Sequence, residues 1–147
     1  KIFKTGTSAI DVVDSQIQSE INKLFASEGK PIVIYPSSQQ ITLKKGDDPK
    51  GFAFSVKNED VESHDYSYIV ETQDVTGCGA LTTEQANSWL RPSKGEFSLG
   101  AGDAMTLAQK VLFVIPQSAP PCTIAYSLKI EKENEPFQSG QIFVTIK

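Results

Sequence analysis

Ile124-Ala125-Tyr126-Ser127-Leu128-Lys129-Ile130 places its large apolar side chains at every second position. A period of two is the mark of a half-buried strand, with one face on a core and the other in solvent. The same phase recurs on both sides of this segment. Downstream, Glu133 to Gly140 reads as a turn, and Ile142, Val144 and Ile146 alternate to the end of the sequence. Upstream, Val111, Phe113 and Ile115 alternate as far as Pro116, and Phe97 and Leu99 precede the turn Gly100-Ala101-Gly102-Asp103. Further back lie Tyr66, Tyr68 and Val70, then Phe52, Phe54 and Val56 behind the dense turn signal Gly46 to Gly51. Ile41 and Leu43, and before them Ile32 and Ile34, complete the series, with Pro36-Ser37-Ser38 between. Seven or eight short strands with turns at such intervals predict two packed antiparallel sheets. One long excursion, Gln73 to Gly95, interrupts the pattern and carries a short helix over Thr83 to Leu90, with Trp89 near its end.

The first thirty residues follow another period. Ile10, Val13, Ile17, Ile21, Leu24 and Phe25 recur close to every 3.6 residues, opposite Asp11, Asp14, Gln18, Glu20 and Lys23. Ser8 and Asp11 resemble a capping box, Gly29 supplies a C-cap, and Pro31 prevents continuation. The reading is one amphipathic helix over 8–28, dividing the chain into an N-terminal helix, 1–29, and a β-sandwich, 30–147. The stripe Ile10, Val13, Ile17, Ile21, Leu24 needs a cover: its own domain, a partner's helix, or the run-on of a membrane anchor. Lys1 is not Met, and Lys1-Ile2-Phe3-Lys4 is the kind of basic flank that follows an apolar span. Membrane attachment through a segment upstream of Lys1 is therefore the expectation.

Composition limits the chemistry. Of 147 residues, 39% are hydrophobic and 22% charged, an ordinary globular balance that can build a core without a disulfide framework. A net charge of −4 argues against nucleic acid, which needs a basic face. Cys78, in Thr76-Gly77-Cys78-Gly79, and Cys122, in Pro120-Pro121-Cys122-Thr123, both sit in turn-like settings. They read as a disulfide between two loops and an extracytoplasmic location, against the alternative of two unrelated thiols. A type I copper site fails on stoichiometry, since His64 is the sole histidine. Zinc lacks paired ligand spacing, and neither a nucleophile elbow nor a phosphate loop is present. No catalytic set and no cofactor are expected.

Two features remain. Asn58 to Asp65 is an acidic loop in which Glu59, Asp60, Glu62 and Asp65 could offer hard oxygen ligands to a calcium ion. Plain solvation is the competing reading, for them and for His64. Trp89 is either a contact residue, stacking on a sugar or anchoring a protein, or a plug at the sandwich edge.

Between Lys30 and Lys147 the order of turns and strands resembles the immunoglobulin-like domains of bacterial and archaeal surface proteins. Ile34-Tyr35-Pro36 followed by Ile41-Thr42-Leu43-Lys44-Lys45-Gly46 looks like their opening strand and its Leu-x-x-Gly turn. Phe52 to Asn58 looks like the second strand with its Val-x-Asn exit, and Phe97-Ser98-Leu99-Gly100-Ala101-Gly102 repeats a Phe-x-Leu-x-x-Gly theme. Ala119-Pro120-Pro121-Cys122-Thr123-Ile124-Ala125-Tyr126 is similar to the Ala-Pro-x-Gly-x-Tyr approach to the penultimate strand, with Cys122 standing where those domains carry Gly. A helix leading into a β-sandwich is also similar, in outline, to archaeal pilin-like and archaellum accessory proteins. The sandwich pattern, the expected disulfide and the absence of a catalytic set together point to a non-enzymatic, extracytoplasmic, membrane-anchored scaffold, adhesion or protein-interaction domain at the cell surface. Its alternative is a pilin-like or archaellum-associated filament subunit that self-associates through the helix. Carbohydrate recognition, with Trp89 and neighbouring tyrosines as the platform, is a third class.

Overall fold

The computed structural model describes residues 9–147. In chain order the elements are α1 (Ser15–Glu28), β1 (Ile32–Tyr35), β2 (Gln40–Leu43), β3 (Lys50–Val56), β4 (His64–Asp74), α2 (Thr83–Ser88), β5 (Leu90–Arg91), β6 (Lys94–Leu99), β7 (Gln109–Phe113), β8 (Thr123–Lys132) and β9 (Glu135–Ile146). The strands form a four-stranded sheet, β1-β3-β7-β5, and a five-stranded sheet, β2-β9-β8-β4-β6. Their inner faces enclose a core that includes Phe52, Phe54, Phe113, Tyr126, Leu128 and Ile142. Two aromatic contacts cross between the sheets: Phe113 with Tyr126 at 4.9 Å and Phe54 with Tyr68, edge-on, at 5.0 Å. The architecture is the immunoglobulin-like sandwich with one N-terminal helix.

Pairing is antiparallel except at one place. β2 runs parallel to β9, Gln40 beside Phe143 and Leu43 beside Ile146. The antiparallel sandwich read from the sequence holds for the other strand pairs, and this short pair alone departs from it. The cause is a change of sheet: β1 pairs with β3 in one sheet, and after Pro36 the chain crosses to the other. It then runs up the flank of β9 in the same direction. A correction concerns the final hairpin. Glu133 and Asn134 alone make its turn, with φ of 53° and 68°, and β9 is already paired from Glu135 onward. Positive φ at both positions is the signature of the two-residue turns that match sheet twist.

The helix starts later than its periodicity suggests. Ser8 lies outside the described residues, and the N-cap is Asp14, whose carboxylate accepts the Ile17 N–H at 2.9 Å. Gly29 closes the helix in the left-handed conformation, as expected. Ile10 and Val13 precede the helix. Ile10 is extended and exchanges two backbone hydrogen bonds with Gly51, of 2.9 and 2.7 Å. This is the stretch of β3 that β1 leaves unpaired when it departs at Pro36. A helix running through Ile10 would forfeit both bonds.

α1 lies on the outer face of the four-stranded sheet. Ile21, fully buried, and the partly buried Ile17, Leu24 and Phe25 pack with Val33, Tyr35 and Ala53. Burying a side chain such as Ile21 contributes about 1.5–3 kcal/mol. Covering both faces explains why β3 is buried along nearly its whole length. Phe52, Phe54 and Val56 fill the inner face, while the smaller Ala53 and Ser55 occupy the outer phase. A β-carbon on Gly51 would overlap the Val111 carbonyl oxygen of the adjacent strand, so the close approach of β3 to β7 requires glycine there.

Candidate functional site

The acidic loop is organised by Asn58, two residues beyond the end of β3 and almost wholly buried. Its amide nitrogen donates to the carbonyl oxygens of Glu62 (2.8 Å), Gly100 (3.0 Å) and Leu99 (3.2 Å), and its amide oxygen accepts the Asp60 N–H. The loop is thereby folded back over the end of the sandwich. His64 opens β4, and its side chain is only 18% exposed. Its Nε2 is 2.8 Å from an Asp60 oxygen and its Nδ1 is 3.3 Å from Glu133. Lys132 reaches the same Asp60 oxygen at 3.0 Å. That hydrogen bond, with the charges of Lys132 and His64, holds the Asp60 carboxyl below the usual range and raises Lys132 in return.

Glu59, Asp60, Glu62 and Asp65 are not brought together. Asp60 is engaged by Lys132 and His64, and Asp65 accepts from the Ser98 hydroxyl at 2.6 Å. Among the described residues no three His, Cys, Asp or Glu side chains are grouped to hold a metal ion. The geometry is that of an ion-paired loop closure.

Cys78 and Cys122 form a disulfide, which ties the long excursion after β4 to the start of β8. α2 sits in this excursion, with Thr82 and Gln85 making a reciprocal capping box. Trp89 follows the helix and is 8% exposed, packed into the core. It therefore takes the structural role, and the sugar-stacking and protein-anchoring readings of Trp89 are corrected: its ring is not available as a platform.

The face left open is the outer side of the five-stranded sheet, since α1 lies on the other. Because Tyr66, Tyr68 and Val70 point inward, Ser67, Ile69, Glu71 and Gln73 of β4 point outward. Ser127 and Lys129 of β8 and Gln141 and Phe143 of β9 join them by register. Ile69 and Phe143 are apolar residues on this polar phase, 39% and 38% exposed. A shallow depression of about 690 Å³ runs between β4, β6 and β8, bordered by Ile69, Lys94, Glu96, Lys129 and Glu131. A second, of about 630 Å³, lies over β9 and β8 beside Phe143. Sequence reasoning singled out neither residue. The available signal was Phe143 between Ile142 and Val144, and Ile69 between Tyr68 and Val70, each a large apolar side chain out of phase.

No family model matches the sequence, and no curated protein matches it. Solved structures do. WR4, a member of the MSP family of C. elegans, aligns at 8% identity with a TM-score of 0.47, covering 80% of this chain and 99% of that one. A family 123 glycoside hydrolase from Clostridium perfringens aligns at 9% identity and TM-score 0.49, over 73% of this chain. The E. coli chaperone DraB aligns at 9% identity and TM-score 0.43, over 79% of this chain. The aligned region spans only 22% of the hydrolase and 54% of the chaperone. These are likenesses of fold alone.

Proposed function

We propose that the chain is a non-enzymatic, extracytoplasmic binding domain that docks a protein partner on the outer face of its five-stranded sheet, at the end formed by β4 and β6. The observation that carries this reading is the asymmetry of the sandwich: α1 covers one outer face, and the other is broad and exposed with Ile69 at its surface. Ile69 surrounded by Lys94, Glu96, Lys129 and Glu131 has the composition of an interface, an apolar centre within a charged rim. β6 is the edge strand on that side and offers its backbone alongside. The Cys78–Cys122 disulfide supports an oxidising location.

A surface scaffold or adhesion role, kinship with prokaryotic surface domains and membrane attachment belong to the same proposal. Among the described residues no helix is long and apolar enough to cross a membrane. The alternative, a pilin-like or archaellum-associated subunit, would need Ile17, Ile21 and Leu24 for contacts between copies. Their packing on Val33, Tyr35 and Ala53 favours the binding-domain reading.

Photocrosslinking in the source cells tests it, with the photoreactive residue at position 69 or at position 12, the latter exposed ahead of α1. One discrete protein adduct from position 69, absent from position 12 and abolished by Glu96→Lys with Lys94→Glu, is the expected result. Adducts of equal yield from both positions, or none from position 69, would overturn the proposal.

A further inference from the structure

The depression beside Phe143 has chemistry of its own. Gln39, Gln73, Ser127, Lys129, Gln141 and Phe143 are among its lining residues, and its volume, about 630 Å³, suits a small ligand. Gln141 donates from Nε2 to Gln73 Oε1 at 2.6 Å. Since β8 lies between β9 and β4, this amide pair reaches across β8. Gln39 donates to the Gln141 carbonyl at 2.6 Å and so fixes the near wall. Each amide has a donor and an acceptor end. The Gln73 nitrogen, the Gln141 side-chain oxygen and the Gln39 side-chain oxygen have no protein partner among the described residues.

The second observation is Ser127. It is only 9% exposed, it borders the depression, and its hydroxyl has no hydrogen-bond partner. The hydroxyl oxygen is itself closed off from the surface, so Ser127 serves as the small floor of the depression beneath the amide pair. Charge narrows the class. Lys129 is the one charged residue in the lining, and its ammonium lies 3.5 Å from Glu71. An anion finds no uncompensated cation here. An extended peptide finds no free β9 backbone beside Phe143, since the Gln39 carbonyl accepts the Phe143 N–H, the Gln39 amide donates to the Gln141 carbonyl, and β2 pairs with β9 from Phe143 onward. What fits is a neutral molecule with many hydroxyls and an apolar C–H face to lie on the Phe143 ring.

We propose that this cleft is a carbohydrate-binding site for a neutral hexose unit of a glycan, with Phe143 as the stacking platform and the amides of Gln39, Gln73 and Gln141 as the hydroxyl-reading groups. It borders the protein-docking end at Ile69, with which it shares Lys129, but does not rest on that reading.

The test is a titration of the isotope-labelled chain, followed by amide NMR shifts. The probes are maltotriose, cellotriose, mannotriose and N-acetylchitotriose, with sialyllactose as the anionic control. The expected result is saturable shifts centred on Ser127, Gln141 and Phe143 with at least one neutral sugar. Phe143→Ala and Gln141→Ala should each weaken binding about tenfold or more, the worth of one buried stacking or hydrogen-bonding contact. Ile69→Asp should leave it unchanged. Both cleft positions are on the exposed face, and each variant is first checked for a wild-type dispersed spectrum. Silence with all four neutral sugars at about 10 mM, far above the weakest useful affinity, would overturn the proposal. So would wild-type binding by both cleft variants, or preferential, salt-sensitive binding of sialyllactose.

Discussion

The phenol of Tyr126 donates to the Ala86 carbonyl oxygen at 2.9 Å, fastening α2 to the middle of β8 from within the core. Tyr126 is fully buried, and burial pushes its phenol far above the ordinary value, so it acts as a permanent donor. Tyr126→Phe removes the donor while conserving the ring. The expected cost is about 1–2 kcal/mol, read as a lower urea midpoint at unchanged slope.

Asn58 is a different kind of anchor. Its amide serves carbonyls from two loops, and Asn58→Ala would leave them facing a void with no donor. A loss of about 2–3 kcal/mol is expected. Limited proteolysis supplies the local readout, because residues 59–63 should become cleavable in the variant before the rest of the chain unfolds. Asn58→Asp should be worse, since it sets a carboxylate against three carbonyl oxygens.

Asp60 makes stability depend on acid. Its folded pKa lies below the unfolded one, so its contribution is complete above the unfolded carboxylate value of about 3.9. It is lost as pH falls through the lower folded value. Urea midpoints of the wild type and Asp60→Asn should differ near neutrality and converge between about pH 4 and pH 2. Because the pair is exposed, high salt should shrink the neutral difference. Curves that stay parallel to pH 2 would show that Asp60 gains nothing from Lys132.

The disulfide closes a loop of 44 residues, which in the chain-entropy account is worth about 2–4 kcal/mol. Reduction, or Cys78→Ala with Cys122→Ala, should lower stability by that amount and leave the sheets intact. The loss should concentrate in hydrogen exchange from α2 and its flanks, which the bond ties to β8.

How far the sequence could be read follows from what periodicity encodes. Alternation reports which face a residue occupies, so Tyr66, Tyr68 and Val70, or Ile142 and Val144, were correctly placed inward. It does not report which strand lies alongside. Hence the parallel β2–β9 pair was invisible, as was the change of sheet after Pro36. Ile10 kept helical spacing with Val13 and Ile17, yet an extended approach to a vacant strand edge buries it equally well. Asn58 looked like one more polar loop residue because a lone amide carries no mark of the carbonyls it will meet. The candidate surfaces were legible only as exceptions, Ile69 and Phe143 standing on the wrong phase of otherwise regular strands.

The position of α1 on the four-stranded sheet has a consequence for valency. A sandwich with both outer faces bare can be gripped from two sides and can bridge two partners. With one side roofed, this domain displays a single broad β face, and whatever it binds on its sheets must share that one side. A support pressed against that side would silence the domain, whereas one on the helix side would leave it open.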